Sequence, residues 1–316
     1  MGSNIEKKET SDLVKERKFD EIETVMKMDE DNPSILFDIA ELYRAKGEFE
    51  KATNFLQKSI ELQPNNYSTY TNLAAIYRDK GEFDRAIMCL QKSIELQPDN
   101  YIAYSNLASI YRDRGEFDRA IEYLQKSIEL QPDNYFAYSN LAAIYRDIGN
   151  LDTAVKYLQK SIELQPDNYF AYSNLAAVYR DKRELSKATE LYQISLHLAR
   201  KNNNDQIAVA DIYSNLAGVL IDKCEFIEAQ NLLINSINIY RASGSYYQKN
   251  EFNALINLSA LYFNMGNYEE AYNIIDTAKT GLMKIYNNDK DSPIIKELLK
   301  RYQIIKEKTI EREKKK

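Results

Sequence analysis

The chain has 316 residues, 44% of them hydrophobic and 28% charged, a balance that suits a folded chain and not a disordered one. A net charge of −6 and a pI near 5.2 argue against a general nucleic-acid binder. The opening MGSNIEKKETSD lacks the apolar core of a signal peptide, and no apolar run approaches the ~20 residues of a membrane span, so no membrane insertion and a cytoplasmic location are expected.

Residues 1–12 read as a disordered tail, and 13–32 (LVKERKFDEIETVMKMDEDN) as an N-terminal capping helix or half repeat. From residue 33 the chain repeats. Pro64, Pro98, Pro132 and Pro166 stand 34 residues apart, and Tyr123–Asp147 recurs as Tyr157–Asp181 with one change, Ile144 to Val178. A fixed period of this length predicts a solenoid. Five 34-residue repeats fill 33–202, beginning at residues 33, 67, 101, 135 and 169. Positions below are counted from the start of each repeat.

Each repeat reads as two antiparallel helices. Leu107, Ala108 and Tyr111 share a face in the first half, and Ile121, Leu124 and Ile128 do so in the second. Asn100 suits the N-cap of a first helix, Gly115 the left-handed residue that ends it, and Pro98 the stop of a second helix. Position 20 is always alanine, from Ala52 and Ala86 to Ala271. Position 8 is Ala40, Ala74, Ala108, Ala142, Ala176 and Ala217, then Ser259. Such small residues allow close helix packing.

Two longer repeats then occupy 203–285, since Leu175 to Leu216 is 41 residues and Leu216 to Leu258 is 42. The added residues equal about two helical turns, placed in longer helices or linkers around 199–209 and 242–251. Arg183 and Cys224 stand where glycine ends the other first helices, and looser turns are expected there. Residues 293–310 form an amphipathic C-terminal capping helix, and 311–316 (EREKKK) a charged tail.

Leu107, Ala108, Tyr111, Gly115, Ala120 and Pro132 match in type and spacing the markers of one known pattern. They resemble the tetratricopeptide repeat (TPR), and the resemblance covers roughly 33–285. Tyr70, Tyr104, Tyr138, Tyr172 and Tyr213 stand where that family often has Trp. The resemblance implies an all-α TPR solenoid, a right-handed superhelix whose first helices line a concave surface. Units one to five resemble the repeats of O-linked N-acetylglucosamine transferase, notably at Ala103–Ser109 (AYSNLAS). The longer units six and seven resemble those of kinesin light chain-like scaffolds.

Little in the chain suggests catalysis. The one histidine, His197, replaces the glutamates of earlier repeats on a face expected to be solvated, and phosphate-loop, CxxC and HExxH patterns are missing. Cys89 and Cys224 have neither metal nor disulfide spacing. The expectation is no enzyme, no cofactor and no metal.

Position 6 is the informative one. It reads Asp38, then Asn72, Asn106, Asn140, Asn174, Asn215 and Asn257. Asparagine is a mediocre helix former, and its amide both donates and accepts. Such a ladder can hold the backbone of an extended peptide, or it can bridge adjacent repeats. With rungs ~10 Å apart and ~3.3 Å per ligand residue, one rung serves about every third residue.

Thr71, Ser105, Ser139, Ser173 and Ser214 at position 5 are small and leave the channel open. Ile102, Phe136 and Phe170 at position 2 are candidate apolar contacts, or they pack on the preceding repeat. Arg78, Arg112, Arg146 and Arg180 at position 12 are candidate contacts for anions, or, with an Asp beside each, members of a salt-bridge network. The chaperone-tail clamp that the family also uses is not matched, because positions 5 and 9 here are small. A heat-shock-protein tail is therefore not the expected ligand.

The function read from these residues is a non-enzymatic module that binds an extended segment of another protein through the asparagines. A self-associating scaffold and a targeting subunit for a separate enzyme stay open beside it. Near-identity of the repeats is also what recent duplication would leave.

Overall fold

The computed structural model describes residues 32–201, 205–244, 247–286 and 293–314. The expected tail at 1–12 and nearly all of the expected helix at 13–32 lie outside them. The described residues contain fifteen α-helices and no strand. They fall into two compact units, 1–164 and 165–316.

The first unit holds four helical hairpins. These are α1 Pro33–Ala45 with α2 Phe49–Leu62, α3 Tyr67–Asp79 with α4 Phe83–Leu96, α5 Tyr101–Asp113 with α6 Phe117–Leu130, and α7 Tyr135–Asp147 with α8 Leu151–Leu164. Local chemistry sets their ends. The Asn66, Asn100 and Asn134 side chains cap α3, α5 and α7 by accepting from the N–H of Ser68, Ala103 and Ala137. At the hairpin turn Gly115 has φ +76°, where its N–H reaches the Arg112 carbonyl at 2.9 Å and that of Glu116 reaches Tyr111 at 2.8 Å.

The second unit holds α9 Tyr169–Asp181 with α10 Leu185–Lys201, α11 Gln206–Asp222 with α12 Phe226–Ala242, α13 Gln248–Asn264 with α14 Tyr268–Ile285, and a last helix α15 Pro293–Glu313. The longer period lengthens the helices themselves: α10 to α13 have 17 residues each, against 13 or 14 in the first unit. The turns at Arg183 and Cys224 are not looser. Both residues take the left-handed conformation at φ 63° and keep the same bonds, Arg183 N–H to Arg180 and Glu184 N–H to Tyr179, each 2.9 Å. A side chain there costs about 1–2 kcal/mol relative to glycine, which the packed hairpin sustains. The last helix runs three residues past the expected end at 310, carried on by the Lys308–Glu311 pair at 2.9 Å.

The cores follow the small-residue stripe. Every position-20 alanine, Ala52, Ala86, Ala120, Ala154, Ala188, Ala229 and Ala271, is fully buried. The position-8 residues and Leu56, Leu90, Leu124 and Leu158 of the second helices are buried beside them. Each buried leucine contributes about 1.5–3 kcal/mol.

A second regular feature flanks this core. Tyr43, Tyr111 and Tyr145 lie flat on Phe55, Tyr123 and Tyr157, with ring centroids 5.3–5.4 Å apart. Cys89 fills the equivalent place beneath Tyr77, which makes it a packing residue; burial pushes its thiol up to about 11, far from reactive thiolate character.

Candidate functional site

The asparagine caps fix where each first helix begins and so place position 6 midway along it. Asn72, Asn106, Asn140 and Asn257 are half-buried, and Asn174 and Asn215 are exposed. None of the six side chains makes a hydrogen bond among the described residues.

Bridging between neighbouring repeats is done by other residues. The fully buried serine at position 27 is the hub. Ser127 Oγ donates to the Tyr101 carbonyl at 2.9 Å. Its one proton thus used, it accepts from Ser105 Oγ at 2.8 Å and from the capping Asn134 Nδ2 at 3.2 Å. Ser93 collects Thr71 Oγ1 at 2.8 Å and Asn100 Nδ2 at 2.9 Å in the same way. Position 5 therefore does more than leave a channel open: Thr71, Ser105, Ser139 and Ser214 tie the first helix of each hairpin to the second.

In the first unit, α3, α5 and α7 enclose an open cavity of about 610 Å³. Asn106 and Asn140 line it together, with Arg78, Ile102 and Phe136. Asn72 is not on its wall. Ile102 is 48% exposed and Phe136 54%, so neither is spent packing on the preceding repeat. Phe170, in the second unit, is 53% exposed.

The arginines divide. Arg112 Nε lies 2.6 Å from Asp147, and Arg180 Nε 2.6 Å from Asp222, each an acid of the following repeat. Arg44 binds Asp79 likewise at 2.9 Å. Arg180 also lies against Gly218, where a Cβ would stand 2.6 Å from its Nη1. Arg146 sits in the last turn of α7. Arg78 alone of the four is on the cavity wall.

Asp38 occupies the ladder position in the first repeat, half-buried on α1. Burial, with the Glu41 charge adding to it, pushes its carboxyl up from 3.8 to about 6. A raised carboxyl is a liability that is absent below pH 4, grows between pH 4 and 6 as only the unfolded chain ionises, and is full above pH 6. Asp38→Asn, the residue every later repeat carries, is expected to stabilise the first unit by roughly 1 kcal/mol at pH 7, after allowing for solvent screening of a half-exposed group. It should be neutral at pH 3.5, and urea unfolding at the two pH values checks this. Equal effects at both would refute the assignment.

His197 is exposed, as are Gln193, Ile194, Arg200 and Lys201, one turn away from it on α10. The described residues hold no cluster of three potential metal ligands, and no helix long and apolar enough to cross a membrane.

Hairpins stacked through small-residue stripes, with one face of first helices carrying polar groups that the fold does not consume, define a helical-repeat protein. Models of the tetratricopeptide repeat match residues 33–66, 66–133, 99–167, 157–190 and 208–278, and the chain belongs to that family. Repeats of this family generally mediate protein–protein interactions. No curated protein matches by sequence.

Among solved structures, the APC/C hetero-tetramer Cut9–Hcn1 is similar with a TM-score of 0.67 and 18% identity, over 89% of this chain and 51% of that one. Yeast Tom70 is similar with a TM-score of 0.65 and 17% identity, over 97% and 60%. The human IFIT1 dimer with PPP-AAAA follows at 0.60 and 20%, over 81% and 66%. This chain thus spans about half the length of the first and three fifths of the second. At these identities the likeness is one of fold.

Proposed function

We propose that this chain is a non-catalytic adaptor that binds an extended segment of a partner protein, and that the position-6 asparagines hold the ligand backbone. One observation carries the reading: six amides at one repeat position make no hydrogen bond among the described residues, and Asn106 and Asn140 face the same open cavity. An amide so placed offers a donor and an acceptor to a peptide unit while ignoring its side chain. Three further rungs, Asn174, Asn215 and Asn257, belong to the second unit. The resemblance of units one to five to the repeats of O-linked N-acetylglucosamine transferase supports the same reading, and the divergent longer repeats are where partner selectivity would come from. A protein partner in the cytoplasm, and not nucleic acid, suits the acidic chain.

Affinity purification from native extract tests the proposal, with wild type beside Asn106→Ala/Asn140→Ala/Asn174→Ala, after circular dichroism has shown that the variant folds. Each lost backbone contact is worth about 1 kcal/mol, so the triple variant should bind the captured partner on the order of 100-fold more weakly. Equal capture by both proteins would sink the ladder. A mass that rises with concentration and is unchanged in the variant would favour self-association instead.

A further inference from the structure

The cavity between α3, α5 and α7 breaks the repeat pattern at one pair. Arg44, Arg112 and Arg180 each bind the position-13 aspartate of the following repeat, at 2.9, 2.6 and 2.6 Å. The matching pair, Arg78 with Asp113, does not close to an ion-pair contact, and the two interact only through their charges at longer range. Arg78 lies 3.6 Å from Asp79 of its own helix, whose other oxygen is held by Arg44. The cavity wall carries one other charged residue, Asp133, and that carboxylate accepts a hydrogen bond from the Gln131 amide. A guanidinium held by no acid of the described residues within hydrogen-bond distance, its nearest being Asp79 at 3.6 Å, thus faces a cavity flanked by two apolar side chains, Ile102 and Phe136, that are about half exposed. Phe136 rests on Tyr135 with ring centroids 4.2 Å apart, which limits its freedom before any ligand arrives.

We infer that this cavity reads side chains as well as backbone: it takes a segment in which an aspartate or glutamate pairs with Arg78 and an apolar residue close to it in sequence covers Ile102 and Phe136. The inference rests on the peptide-binding reading above and adds a ligand class to it. Charge decides the class. Guanidinium forms charge-assisted, bidentate bonds with carboxylates, and a lysine or arginine placed beside Arg78 and the two apolar side chains would be repelled there. The asparagines on either side are indifferent to sequence, so selectivity in this unit falls to Arg78 and the two apolar residues.

The experiment pans a random dodecapeptide library against the full chain, in parallel with Arg78→Gln and with Asn106→Ala/Asn140→Ala. An enriched peptide and its Asp-to-Asn or Glu-to-Gln counterpart are then measured by fluorescence anisotropy against all three proteins. Wild type should enrich an acidic residue within two positions of an apolar one. Neutralising that acid should weaken binding at least tenfold to wild type and less than twofold to Arg78→Gln. Enrichment of peptides without an acid, or an equal loss in both proteins, would overturn the inference. If such peptides still depend on Asn106 and Asn140, the backbone-binding reading survives without it. If acidic peptides depend on Arg78 but bind the double asparagine variant as well as wild type, the inference stands and the ladder falls. Enrichment of nothing at all would defeat both.

Discussion

Ser127→Ala is expected to lower the stability of the first unit by about 2–3 kcal/mol, although it removes a single oxygen atom. The hydroxyl serves three partners at once: it donates to the Tyr101 carbonyl at 2.9 Å and accepts from Ser105 and Asn134 at 2.8 and 3.2 Å. Asn134 is only 8% exposed and Ser127 fully buried, so water cannot replace the lost oxygen. Each buried polar group left without a partner costs about 1–3 kcal/mol. The Ser105 hydroxyl is less deeply placed and recovers part of its loss. The Asn134 amide does not, and as the cap of α7 it transmits the damage to the next hairpin. Hydrogen exchange is the suitable readout, because repeat arrays open locally and a single unfolding midpoint averages over hairpins. Protection should fall in α5, α6 and α7 and hold in α1. A loss below about 0.5 kcal/mol, or one spread evenly over the chain, would show that the serine is not a hub.

How much of this was readable beforehand depends on what the sequence repeats. The hairpins, the alanine stripe and the asparagine caps were legible because each recurs at 34 residues with one plain physical role. The serine hub left the same kind of signal, Ser59, Ser93, Ser127, Ser161, Ser195 and Ser236, but on a helix whose amphipathic pattern a small residue does not disturb. Its meaning appears only when the capping asparagine of the next repeat is seen against it. The arginine–aspartate chain was half legible. Both residue types repeat, yet the partner lies 35 residues on, from Arg112 to Asp147, and not beside its arginine. That Arg78 does not close on Asp113 of the following repeat was not legible at all, since its neighbours in sequence match those of Arg112. The turns at Arg183 and Cys224 depart from the expectation because hairpin packing, and not residue type, holds the backbone there at φ 63°.

Gly281→Ala is expected to destabilise the second unit by about 2 kcal/mol, against the ordinary trend. In the middle of a helix alanine is favoured over glycine by about 1 kcal/mol, and Gly281 lies well inside α14. Its presence there has a cause in packing: the Phe252 ring of α13 lies directly on the glycine, and a Cβ built at that position overlaps three atoms of the ring. Phe252 packs between the core of the second unit and the cluster beneath the last helix. The ring cannot swing aside without uncovering both. Overpacking of this kind costs about 1–3 kcal/mol, enough to overturn the helical preference. A double-mutant cycle separates the two effects. With Phe252→Ala as background the overlap is gone, and Gly281→Ala should then stabilise by up to about 1 kcal/mol. The change of sign between backgrounds is the diagnostic result. The same destabilisation in both would mean that Gly281 is required by its backbone and not by the ring above it.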